Sequence, residues 1–161
     1  MLAWFFPPPF SDVQLGSLAR DRGRWRGWVE AEPGLVVPLV VAGPRRAPDP
    51  GALVAARAVS ARLAAWRPVI ARALLEHYEP YAEAVAAGDS RLDGGPLPAL
   101  AAPDDVWPHV TLCFVAVYPL GGVLTTELGY TVAWDEEHTL GVRFQGDRFV
   151  EVCGSVRPGA P

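Results

Sequence analysis

The chain of 161 residues has no lysine and no asparagine, a single isoleucine (Ile70), one methionine and two cysteines. The missing lysine excludes whole mechanisms. A P-loop lysine, a Schiff-base or pyridoxal enzyme, a kinase-type lysine and a Ser–Lys dyad all need that amine. The motifs G-x-S-x-G, H-E-x-x-H, C-x-x-C and G-x-G-x-x-G are absent as well. Cys113 and Cys153 stand forty positions apart in strand-like runs. They read as two buried free thiols, because an unpaired cysteine behaves as a small hydrophobe. Long hydrophobic runs are missing too: residues 110–124 are uncharged, but Pro119, Gly121 and Gly122 interrupt them and they are too short to span a bilayer. The segment from Met1 to Pro9 lacks a basic region and is broken by Pro7, Pro8 and Pro9, unlike a signal peptide. The expectation is a cytoplasmic protein with no membrane association.

What is present is lopsided: 14 Arg, 24 Ala, 17 Pro and 16 Gly. Arg, Ala, Pro and Gly have GC-rich codons, whereas Lys, Asn and Ile have AT-rich ones. The pattern is that of a GC-rich bacterial genome, so the Arg and Pro counts say little about function. The length suits one domain with a single sizeable core. Residues 1–19 form an apolar arm containing a first strand, residues 20–156 the domain and residues 157–161 a tail. The net charge of −4 is unevenly spread, since residues 93–161 carry three Arg against nine acids. That acidic last third suits a basic partner.

The first forty residues read as β. Strands are expected over Val13–Ala19, Trp25–Ala31 and Leu35–Val41, with turns at Asp21-Arg22-Gly23 and Glu32-Pro33-Gly34. Pro38 cannot donate to a ladder, which places the third strand at an edge or at a bulge. Residues 49–87 read as one long helix capped by Asp49, with Pro50 at its first position and Gly88 as its stop. The stripe Leu53, Ala56, Ser60, Leu63, Trp66, Ile70, Leu74, His77, Tyr81 and Val85 keeps a helical period through Pro68 and Pro80, which predicts kinks rather than a break. Residues 88–106 read as a long loop. A β-meander follows, with strands over His109–Tyr118, Val123–Trp134, Thr139–Gln145 and Phe149–Val156, the last keeping Val150, Val152 and Val156 on the core side. The expected fold is α+β, an antiparallel sheet of six or seven strands packed against one long, Pro-kinked helix.

Three clusters carry the candidate chemistry. Asp135, Glu136, Glu137 and His138 form a charged hairpin tip that could dock a basic protein, with Trp107 in a Pro-flanked segment as a further contact. The same tip could bind a divalent cation through Glu136 and His138, or act in acid–base chemistry with His77. No second acid/His set stands at ligand spacing, so no metal and no cofactor is expected. On the helix, His77, Tyr78 and Tyr81 could line a pocket for a small ligand or pack as core. Arg20, Arg22, Arg24 and Arg26 interleave with Trp25 and Trp28. Gly23 folds that segment back, no second basic stripe follows and the net charge is negative, so no nucleic-acid partner is expected. Trp4, Phe5, Phe6 and Phe10 need an apolar surface, on their own sheet or on a second subunit.

Four segments together resemble a family of small bacterial domains of unknown function. They are Gly23-Arg24-Trp25-Arg26-Gly27-Trp28-Val29, Leu75-Glu76-His77-Tyr78-Glu79-Pro80-Tyr81, Val106-Trp107-Pro108-His109-Val110 and the hairpin Trp134-Asp135-Glu136-Glu137-His138-Thr139-Leu140-Gly141-Val142-Arg143-Phe144. The last is similar to the Trp-Asp-x-Glu-His-Gly hairpin of that family, with Thr139 in place of the glycine, so a tight glycine turn is not expected. The resemblance implies a toxin-immunity or accessory type of protein, which neutralises by binding a protein partner rather than by catalysis.

Overall fold

The computed structural model describes residues 7–88 and 95–158. Four strands come first: β1 (Phe10–Asp12), β2 (Gly16–Asp21), β3 (Arg24–Glu32) and β4 (Leu35–Val41). Two helices follow, α1 (Pro50–Arg57) and α2 (Val59–Ala86), then a 3-10 helix (Pro103–His109). Four more strands end the fold: β5 (Val110–Leu120), β6 (Val123–Val132), β7 (Asp135–Gln145) and β8 (Arg148–Cys153). All eight strands lie side by side in chain order, and each neighbouring pair is antiparallel except β4 and β5. A parallel pair cannot be closed by a tight turn, so the chain needs a crossover there, and the helices supply it. The fold is α+β as expected, with eight strands among the described residues rather than six or seven.

The helices cover one face of this sheet. Leu53, Ala56, Leu63, Trp66, Ile70 and Leu74 bury against Trp25, Val29, Leu39, Val115, Val117, Leu128, Leu140 and Val142. Trp66 stacks on Phe144 with ring centroids 4.2 Å apart. The helical stripe is thus a core face over most of its length, although Ser60 is exposed and Val85 lies at its open end. On the opposite face Val40, Ala42, Phe114, Ala116, Tyr118 and Val156 form a second, smaller cluster.

The helix differs from the expectation in where it breaks. Asp49 caps α1 by accepting from the Ala52 N–H at 2.8 Å, and Gly88 ends α2 with φ +88°, both as the sequence implied. Pro68 and Pro80, however, lie inside α2, and the interruption is at Ala58. Its backbone stays near the helical region (φ −81°, ψ −8°), so one irregular residue leaves the apolar phase intact. Periodicity alone could not register it.

Pro38 is a second correction. Strand β4 lies between β3 and β5, not at an edge, with Pro38 directly opposite Trp28. The β4–β5 ladder covers only Leu39–Val41, so the side of Pro38 that lacks a donor faces no ladder. The terminal strand ends at Cys153, and Val156 packs on the face away from the helices rather than in the main core. Cys113 and Cys153 are free thiols, but both are only half-buried. Trp4, Phe5 and Phe6 fall outside the described residues, while Phe10 packs edge-on to Trp25. No helix among the described residues is long and apolar enough to cross a membrane.

Candidate functional site at the β6–β7 hairpin

The charged segment is not a loose tip but the first turn of strand β7. Thr131 pairs with Thr139, yet the next residue, Val132, pairs with Asp135. Glu136, Glu137 and His138 are therefore three extra residues bulged out of the ladder, and all three are exposed. Bulges of this kind re-aim side chains at the end of a sheet.

Two contacts pin the bulge to the C-terminal half of α2. The Tyr81 hydroxyl donates to Asp135 Oδ2 at 2.8 Å, and the Trp134 indole N–H donates to His77 Nδ1 at 3.1 Å. Tyr78 packs edge-on to Trp134 and gives its hydroxyl to the Pro98 carbonyl at 2.5 Å. His77 and Tyr81 lie one helical turn apart, and their rings approach to 5.6 Å between centroids. The three aromatic candidates and the hairpin thus belong to one assembly. Tyr78 is core, and His77 and Tyr81 are half-buried between core and surface.

Electrostatics follow from these contacts. Burial pushes the His77 imidazole down, and the nearby Asp135 carboxylate only partly opposes it. Burial also works to raise Asp135, but the donors Tyr81 and His138 outweigh it and hold the carboxyl below its usual range. Tyr81 is pushed up to about 12, by burial first and then by the carboxylate it serves. His138 approaches Asp135 Oδ1 through Nδ1 at 2.8 Å. With the Nδ1 proton directed at the carboxylate, Nε2 is the position left for another partner. Among the described residues, no three His, Cys, Asp or Glu side chains are grouped so that they could hold a metal ion.

Trp107 sits apart from this assembly. It is half-buried against the main core, with the Arg67 guanidinium 3.8 Å from its ring centroid. Arg67 in turn pairs with Glu32 at 3.3 Å. The 3-10 helix that carries Trp107 is held by Asp105, which accepts from the Ala101 and Ala102 N–H groups.

A second polar group escaped the sequence reading. Glu127, only 3% exposed, accepts from the Arg143 Nε and the Tyr118 hydroxyl, each at 2.7 Å, on the face away from the helices. Arg143 also donates to Glu151 at 2.8 Å. Tyr118, Glu127 and Arg143 line a cleft of about 150 Å³ with Cys153, Ser155, Val156 and Arg157. Gly141 makes room for them, because a Cβ there would stand 3.0 Å from the Glu127 carboxyl and 2.7 Å from Val156. The available signal was the lone charge: Glu127 is the one ionisable acid or base in the run from Val110 to Trp134 apart from tyrosine and cysteine.

A search of the curated proteins returns no match, and a search of the solved structures returns none either. The family comparison does return one, and its span contains β2 to β8, the pinned hairpin and the Glu127–Arg143 pair. The chain belongs to the family described as Domain of unknown function (DUF6985), which it matches over residues 16–156.

Proposed function

We propose that this chain is a small protein-interaction module of the toxin-immunity type, which captures a basic protein on the surface built by the β7 bulge and the end of α2. The observation that carries the reading is the pinned bulge. Tyr81 and Trp134 fix its base, while Glu136, Glu137 and His138 are left exposed. A fixed set of outward charges loses little entropy on binding and steers an oppositely charged partner. The neighbouring half of α2 adds Glu76, Glu79 and Glu83, all exposed, and no arginine follows Arg72 in that helix. Acids near a helix C-terminus oppose its dipole, so they do not serve the helix itself.

The test is capture from lysate of the native host on immobilised protein. A basic protein should be retained by the native chain and lost with Glu136→Arg/Glu137→Arg. Retention should also fall steeply between about 50 and 300 mM salt, as screening of exposed charges requires. Equal capture by the charge-reversed variant would remove this surface from consideration. The Asp135–His138 hydrogen bond favours a second reading, acid–base hydrolysis by an oriented imidazole. Turnover of an activated ester that His138→Ala abolishes, while Glu136→Arg/Glu137→Arg spares it, would select that reading instead.

A further inference from the structure

At the end of the sheet opposite the acidic bulge, the fold gathers arginines. The β2–β3 turn lies at this end, with Arg22 and Gly23 at φ +46° and +81°. Gly23 does fold the arginine-rich segment back, but the fold also supplies a second basic element. Arg20 donates to the Gly43 and Pro44 carbonyls at 2.6 and 3.0 Å, and the Trp25 indole N–H donates to Pro44 at 3.0 Å. The loop bearing Arg45 and Arg46 is thereby held against the turn. Residues 20–26 and 43–46 hold six arginines and a single carboxylate, Asp21, which pairs with Arg26 at 3.0 Å. No carboxylate among the described residues pairs with Arg22, Arg24 or Arg46.

Side chains alternate along a strand, so Arg24, Arg26 and Trp28 share the face of β3 opposite the buried Trp25. Trp28 is 60% exposed, the most open aromatic side chain of the described core elements. Four residues of strand rise from Arg24 through Arg26 to Trp28 make a track of about 13 Å along the backbone of β3.

We propose that this end of the sheet binds single-stranded nucleic acid, with phosphates on Arg22, Arg24 and Arg46 and an unpaired base stacked on Trp28. Unpaired guanidiniums suit phosphate, which they meet in bidentate fashion. An exposed indole beside them provides a stacking platform that bases held in a duplex cannot reach. A flat bilayer meeting the turn would leave Trp28, four residues along β3 from Arg24, unused, whereas a flexible strand can follow β3. The site is separate from the acidic surface, so either can fail without the other.

The experiment is fluorescence anisotropy with labelled single-stranded RNA and DNA of about 20 nucleotides, titrated at several salt concentrations. Binding should weaken steeply with salt. The variant Arg22→Ala/Arg24→Ala/Arg46→Ala should lose at least about tenfold and show a shallower salt slope. Trp28→Ala should lose about tenfold with the slope unchanged, and Trp28→Phe should restore most of it. All four positions are at or near the surface, and circular dichroism of each variant checks the fold. Absence of binding at about 50 mM salt would overturn the proposal. So would equal affinity for duplex that Trp28→Ala leaves untouched, or binding to phosphatidylserine vesicles in place of the oligonucleotides.

Discussion

The indole N–H of Trp134 donates to Nδ1 of His77 across 57 positions of sequence, joining the β6–β7 turn to the C-terminal half of a 28-residue helix. A ring nitrogen that accepts this bond must be unprotonated, and burial already lowers the His77 pKa below its ordinary 6.5. The unfolded chain therefore binds a proton before the folded one does as pH falls. Stability from this site is complete above about pH 6.5 and declines below it. The indole proton resonance of Trp134 should move as pH falls through the His77 transition, and His77→Gln should flatten the dependence of stability on pH below about 6.5. A Trp134 resonance that stays in place while the His77 ring takes up its proton would contradict the assignment.

Asp12 gives the opposite case at lower pH. Its carboxylate accepts from Arg57 at the end of α1 and from the Gln14 and Leu15 N–H groups, and it is 6% exposed. Hydrogen bonding from Arg57 lowers its pKa to about 2. Because the folded value lies below the unfolded one, the contribution is present above the usual carboxylate range and is lost between about pH 4 and pH 2. Acid titration of native and Asp12→Asn proteins should converge at the low end of that window. If the two curves stay parallel throughout, the site contributes nothing to acid stability.

The Glu127–Arg143 pair is nearly closed to solvent, with side chains 4% and 15% exposed. Removing one partner strands the other. Arg143→Met should cost about 3–5 kcal/mol in denaturant unfolding, while the double variant Glu127→Leu/Arg143→Met should recover much of it. Additive losses in the double variant would mean that the two residues act independently.

Phe114 lies on bare backbone at Gly129. A Cβ on Gly129 would stand 2.1 Å from the Phe114 ring, a distance no side chain tolerates. Gly129→Ala should destabilise by about 1–3 kcal/mol through overpacking, and Phe114→Leu in the same chain should relieve part of it. Thermal melts of the native chain and the two variants suffice, and an unshifted Gly129→Ala melt would show that the sheet yields there at no cost.

Much of the fold was legible along the chain. Strand β4 runs over Leu35–Val41 as read, and the turns at Arg22-Gly23 and Pro33-Gly34 both form. Asp49 and Gly88 bound the helical region as expected. These features depend on neighbours in sequence: a capping oxygen, a fixed φ or a positive one. The hairpin was misread as a turn of charged residues because a bulge is a mismatch between two strands, and one strand alone cannot show it.

The sequence by itself determined the alternation of apolar faces, the capped helical stretch, the exclusion of lysine chemistry and the acidic balance of the last third. Only the tertiary structure decided what those pieces meet. It laid Tyr81 and His77 beneath the hairpin, paired Glu127 with Arg143, and drew the Arg45–Arg46 loop to the β2–β3 turn. The physical reason is the same each time. Local propensities act within a few residues, whereas hydrogen bonds and ion pairs depend on distances that only the packed sheet order establishes.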